Sequence, residues 1–156
     1  MSNVYRLHFL SEKRKNTHSN KDERVDMIRF GRRPSHLGVR EGKLATCPSS
    51  PNCVSSQSDL SKSKIDPISY QGSQQQAMHR LKSILCSMER TTLIQETEDY
   101  LYLEIVMRFI RCVDDIEFYF DDEAKLIHVR SSSRVGYSDW SANRKRVEWI
   151  RKEFFS

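Results

Sequence analysis

Hydrophobic residues recur at helical spacing in two stretches of the chain and alternate at strand spacing between them. Ala77, Leu81, Ile84, Leu85 and Met88 share one helical face, and Ser73 followed by Gln76 has the form of a capping box, so the spacing predicts a helix over 74–89. Further on, Leu101, Leu103, Ile105 and Met107 alternate with Tyr100, Tyr102, Glu104, Val106 and Arg108. Ile116, Phe118 and Phe120 alternate with Asp115, Glu117 and Tyr119, and Ile127 and Val129 with His128 and Arg130. A shorter strand-like run covers 93–97, an extended piece covers 67–70, and Asp121-Asp122-Glu123-Ala124 supplies a turn. Val147, Ile150 and Phe154 share a face and predict a closing helix over 141–155, with Ser138, Asp139 or Ser141 as its cap.

Half-apolar strands with short connections indicate an antiparallel sheet with one covered face. The expectation is therefore an α+β fold: an antiparallel four- to five-stranded sheet with two helices on one face, in the order β-α-β-β-β-β-α. A TATA-binding-protein-like or helix-grip topology fits that order. Residues 34–156 read as a single domain, with 34–66 as an irregular lead-in rich in Pro, Ser, Gly and Asn. Residues 1–33 read as a flexible basic arm.

Length and charge add bounds. A chain of 156 residues suits one domain with a real core. The net charge of +5 spreads both signs along the chain, which permits an acidic partner without demanding one. The N-terminus lacks the apolar core of an export signal and no run reaches the length of a membrane span, so a soluble cytoplasmic protein is expected, or an exported one if the true start lies upstream. Among the four cysteines there is neither a CxxC pair nor zinc spacing, and the acidic clusters Asp114-Asp115 and Asp121-Asp122-Glu123 lack calcium-loop spacing. No metal and no cofactor are expected. Cys47 and Cys53 flank a Pro-Ser-Ser-Pro-Asn turn and could close a short loop in an oxidising compartment; for a cytoplasmic protein two reduced thiols are the favoured reading.

The densest polar chemistry lies at the last strand-to-helix junction. Arg130, Ser131, Ser133, Arg134, Ser138, Asp139, Asn143, Arg144 and Arg146 gather around Gly136, where a helix start leaves backbone N–H groups free for an anion. Arginines and hydroxyls there could clamp a phosphate or carboxylate. If the helices cover the apolar face, the other face presents Tyr100, Tyr102, Glu104, Asp115, Glu117, Tyr119, His128 and Arg130. Its plainest reading is a solvated surface in which Glu104 or Glu117 pairs with Arg130. The leading expectation is a non-enzymatic binding module for a small anionic or polar ligand, or for a protein partner, at the Arg/Ser/Asp/Asn corner with Glu117 nearby. The alternative is a hydrolase or transferase using Glu117 or Asp115, with His128 carrying a proton, or Cys53 as nucleophile. Nucleic-acid binding ranks last, because stacking aromatics are not interleaved with the basic residues.

CPSSPNCVSSQ, VDDIEFYFD and HVRSSSRVGYSDWSANRKRVEWIR, standing in that order after RPSHLGVREGKLATCP, resemble the motifs of the domain-of-unknown-function 1499 family (DUF1499). The resemblance runs from about Arg33 to Phe155 and implies a compact α+β domain with no established activity, catalytic residue or cofactor to carry over. Its motif positions include Cys47, Asn52, Cys53, Asp114, Asp115, Glu117, Arg130, Ser131, Ser133, Arg134, Gly136, Ser138, Asp139, Asn143, Arg144 and Arg146. Tyr102 stands where the pattern has His, Met107 where it has Ser, Cys112 where it has Phe, and Ser141 where it has Gly. A role for a histidine at 102 or a serine at 107 is therefore not carried over. Many relatives resemble exported or membrane-attached proteins, which this N-terminus does not match; that favours a Cys47–Cys53 bridge only if the true start lies upstream.

Overall fold

The computed structural model describes residues 31–108 and 112–156, so the expected basic arm lies outside the described residues up to position 30. The elements are β1 (Cys53–Ser55), β2 (Ile68–Ser69), α1 (Gln74–Ser87), β3 (Thr91–Glu96), β4 (Tyr100–Val106), β5 (Val113–Asp121), β6 (Leu126–Ser133) and α2 (Ala142–Phe155). They form a six-stranded antiparallel sheet in the order β1-β6-β5-β4-β3, with β2 pairing on β6 as well. The fold is α+β as expected, with one strand more than the expected order.

That extra strand is β1. Three residues are too few to show a period, and they become a strand because the outer edge of β6 is open to them, with Cys53 opposite Ser132, Val54 opposite Ser131 and Ser55 opposite Arg130.

Alternation decides what each face does. Leu101, Leu103, Ile105, Ile116, Phe118, Phe120, Ile127 and Val129 point to one side, where Leu81 and Leu85 of α1 and Val147, Ile150 and Phe154 of α2 pack against them. Each such large side chain taken out of water contributes about 1.5–3 kcal/mol. The capping box at α1 forms: the Ser73 hydroxyl accepts from the Gln76 amide at 3.2 Å, and the Gln76 side chain accepts from the Ser73 amide at 3.2 Å. At α2, Ser141 occupies the cap position without a side-chain bond. Asp139 does the work, accepting from the Asn143 amide at 2.8 Å and the Ser141 amide at 3.0 Å.

The opposite face departs from the expectation of an open, solvated surface. Leu37, Val39 and Leu44 of the lead-in pack on Tyr100, Tyr102, Tyr119 and Ile94. The lead-in turns back on itself in a two-residue hairpin, Arg40 and Lys43 exchanging backbone bonds of 2.9 and 3.0 Å around Glu41 and Gly42, both at positive φ. The sheet is clad on both sides, by helices on one and by this segment on the other.

Candidate functional site

Register builds three rows across the lead-in face. Tyr100, Tyr119 and His128 form the first, Tyr102, Glu117 and Arg130 the second, and Glu104, Asp115 and Ser132 the third. At the β1 edge, Ser55 continues the second row and Cys53 the third.

Glu117, fully buried, is held by three donors: the Tyr100 hydroxyl at 2.8 Å, the Gly38 amide at 2.8 Å and Arg130 Nη1 at 3.2 Å. Gly38 offers that amide from φ +104, a conformation that side chains rarely adopt. Asp115 accepts from the Tyr102 hydroxyl at 2.6 Å and from both Nε and Nη2 of Arg134, at 2.9 and 2.7 Å. Arg134 also reaches Glu104, which Arg33 contacts at 2.6 Å. Burial, followed by the neighbouring carboxylates, pushes the Tyr100 and Tyr102 hydroxyls well above their ordinary range, so both stay protonated donors. Burial would raise the Glu104 carboxyl, but hydrogen bonds from Arg33 and Arg134 outweigh it and hold the group below its usual value.

Beside these rows lies a cavity of about 410 Å3, lined among others by Arg32, His36, Thr46, Cys47, Arg130 and Ser132. Arg130 gives Nη1 to Glu117, while its Nε is buried with no hydrogen-bond partner. A buried guanidinium N–H left unpaired is costly, and Arg130 is one of the residues that line the cavity.

One wall of the cavity carries a disulfide. Cys47 and Cys53 are bonded, their Cα atoms 5.6 Å apart across the Pro-Ser-Ser-Pro-Asn turn. This corrects the reading of two reduced thiols, since the turn brings together residues six positions apart. It also removes Cys53 as a nucleophile while the bond stands, because only a free thiolate attacks.

The residues of the Arg/Ser/Asp/Asn corner do not converge on one pocket, because alternation along β6 sends neighbours to opposite faces. Arg130 and Ser132 face the lead-in, as does the Arg134 guanidinium, whereas Ser131 faces α2. There the Ser131 hydroxyl donates to Asn143 Oδ1, and Asn143 Nδ2 donates to the Ser133 hydroxyl at 3.1 Å and the Asn52 carbonyl at 3.2 Å. Arg146 bonds Asn143 at 2.7 Å and Asp114 at 2.6 Å, leaving Asp114 Oδ1 buried and unpaired. This cluster clasps α2 to the sheet. Ser133 belongs to the clasp and also lines the cavity. Arg144 bonds the carbonyls of Lys64 and Lys62, each at 2.9 Å, and Ser138 accepts from the Trp140 amide at 3.3 Å. The alternation 113–121 was the signal that Asp114, sharing parity with Ile116 and Phe118, belongs to the helix face.

Arg32, Arg33, His36, Gly38 and Thr46 were absent from the sequence-derived candidates. Leu37 and Val39 on either side of Gly38 hint at a packed segment, but two apolar positions are too few to establish a period. Among the described residues no group of three or more His, Cys, Asp or Glu could hold a metal ion, and no helix is long and apolar enough to cross a membrane.

The model of the family described as Protein of unknown function (DUF1499) matches residues 43–154, most of the chain. No curated protein matches it.

Proposed function

Given a chain that belongs to the DUF1499 family, whose description names no activity, we propose that this protein is a binding module for a small anionic or polar ligand seated in the cavity beside Arg130. The observation that carries the reading is the buried, unpartnered Nε of Arg130 on a residue that lines a cavity of about 410 Å3. That volume falls within the range of small-molecule sites. Thr46 and Ser132 line the same cavity and carry hydroxyls. Arg33, Arg130 and Arg134 are each matched by Glu104, Glu117 or Asp115, so Arg32 brings a cation not already spent on an ion pair among the described residues. An anion would therefore meet one surplus positive charge and a set of neutral donors.

The carboxylates of the hydrolase reading are saturated acceptors, Glu117 of three donors and Asp115 of Tyr102 and Arg134. Binding makes fewer demands on this arrangement than turnover does. The disulfide supports an oxidising setting over the cytoplasmic one suggested by the N-terminus.

The test is calorimetric titration with a panel of small carboxylates and inorganic phosphate, alongside native mass spectrometry of protein from its own cells. Arg130→Lys keeps a charge for Glu117 and removes the Nε donor, and should weaken binding about tenfold, the loss of roughly one charge-assisted hydrogen bond; Thr46→Val, made separately, removes a neutral donor and should weaken it less. Affinity unchanged in both variants would refute the site.

A further inference from the structure

The two halves of the disulfide stand in different surroundings. Cys53 is 1 % exposed on β1, whereas Cys47 is half-buried and lines the cavity between Thr46 and Pro48, both exposed. Each end of this stretch is anchored on its own account. Leu44 is buried, and its amide donates to Gln57 Oε1 at 2.8 Å. Asn52 Nδ2 donates to the Gly136 carbonyl at 2.7 Å, and the Asn52 carbonyl accepts from the Ser133 amide at 3.0 Å. Between those anchors the Ser49 carbonyl accepts from Lys62, and the Ser50 hydroxyl bonds Asn52 Oδ1 at 2.7 Å. Ala45, Thr46, Cys47 and Pro48 make no hydrogen bond among the described residues. This piece of the cavity wall is tied to the sheet through the Cys47–Cys53 bond, not through backbone pairing.

The difference in exposure also sets the direction of attack. A thiolate of a dithiol reaches the more exposed Cys47, forms a mixed disulfide with it and expels Cys53 as a thiolate, which takes up a proton. The second thiol of the reductant then displaces Cys47. Two electrons pass to the bridge, leaving two thiols on the protein and the dithiol oxidised to a cyclic disulfide. The register of β1 on β6 and the bonds of Asn52 involve neither sulfur, so the strand keeps its place while residues 45–48 lose their tie.

We propose that this bridge is a redox control on the cavity beside Arg130. Oxidised, it holds Thr46, Cys47 and Pro48 as a formed wall; reduced by a dithiol, it releases them and the cavity loses affinity for its ligand. The control rests on the reading of that cavity as a ligand site. A wall that keeps the binding geometry only about a tenth of the time weakens binding about tenfold.

Two readouts on the full chain separate the control from the reading beneath it. The first needs no ligand: backbone amide relaxation by NMR, on the oxidised protein and on protein reduced with dithiothreitol. Order parameters at Ala45, Thr46 and Cys47 should fall on reduction from about 0.85 to below about 0.6, while those of β5 and β6 stay unchanged and report an intact fold. Unaltered values at these three positions overturn the proposal. The second is calorimetric titration with inorganic phosphate and the small carboxylates, in which the reduced protein should bind about tenfold more weakly than the oxidised one. Cys47→Ser/Cys53→Ser should match the reduced protein with or without dithiothreitol, which assigns the loss to the bridge and not to Cys86 or Cys112. Equal affinity of the two forms overturns the control and leaves the ligand site standing. Binding by neither form, with the wall seen to loosen, overturns the cavity reading itself and the control with it.

Discussion

Glu117 and Arg130 stand opposite one another on β5 and β6, and Glu117 Oε2 accepts from Arg130 Nη1 at 3.2 Å with neither side chain more than 4 % exposed. A buried pair of this kind is far costlier to halve than to remove. Arg130→Ala should lower the free energy of unfolding in urea by about 3–5 kcal/mol, because a buried carboxylate loses its counter-charge. Replacing both partners, Glu117→Met with Arg130→Leu, should recover part of that loss, the remainder being the Tyr100 hydroxyl and Gly38 amide left without their acceptor. A double variant no more stable than Arg130→Ala would show that the pair is not the origin of the effect.

The lead-in should behave as part of the folded body. Gly38→Ala meets no atom within 4 Å, so its cost comes from the backbone at φ +104 alone, roughly 1–3 kcal/mol. A chain begun at Lys43, where the family match starts, lacks Arg33, Leu37, Gly38 and Val39. It should bind the hydrophobic dye ANS and melt earlier, since Tyr100 and Tyr102 lose their cover and Glu117 a donor. Equal melting temperatures for the two chains would make the cover dispensable.

Acid should destabilise the protein in two windows. Burial holds the His128 imidazole below 6.5, outweighing the pull of Asp121 in the other direction. The unfolded chain therefore takes up the proton first, and stability present above about pH 6.5 is lost as the pH falls below that value toward the folded pKa. Glu104 lies below 4.5 in the folded state, so its share of stability is present above 4.5 and drains as the pH drops through the folded pKa. Urea midpoints against pH should show both declines, with His128→Gln flattening the upper one and Glu104→Gln the lower. Unaltered profiles in both variants would assign the acid sensitivity to other groups.

Covalent bracing at Cys47 and Cys53 predicts a thiol count. Alkylation of the unfolded, unreduced protein should label Cys86 and Cys112 alone, and prior reduction should expose the other two. Cys47→Ser with Cys53→Ser should cost about 2 kcal/mol, as loop-closure entropy gives for so short a ring. Labelling of every cysteine before reduction would contradict the bridge.

Much of the fold was legible because its signals are local. The Ser73–Gln76 box and the spacing of Leu81 and Leu85 define α1 within one stretch of chain, and the parity of Ile116, Phe118 and Phe120 marks the core side of β5 without any knowledge of its neighbours. What sequence could not supply was pairing across distance. Arg134 reads as a free anion clamp until the register shows Asp115 and Glu104 within its reach. Arg130 and Ser131, adjacent in one motif, look like a single site until alternation separates them by the thickness of the sheet. The cover over the tyrosine face was missed because Leu37, Val39 and Leu44 are too few and too irregular for a period. The aromatic density of Tyr100, Tyr102 and Tyr119 on a supposedly wet face was the overlooked hint.

The pairing of β1 with β6 also sets an order of events during synthesis. Strands β3 to β6 form successive hairpins, so each can close on its predecessor as it leaves the ribosome. Cys53, by contrast, finds its strand partner at Ser132, and the segment around Gly38 waits for Glu117. The first-made part of the described chain is thus among the last to settle, and until the ribosome has passed residue 133 its hydrophobic side chains and both cysteines of the bridge remain without their final surroundings. Long-range closure of this kind slows folding and lengthens exposure to wrong partners. An early disulfide within 47–53 would shorten the wait by fixing the turn before its strand has anywhere to dock.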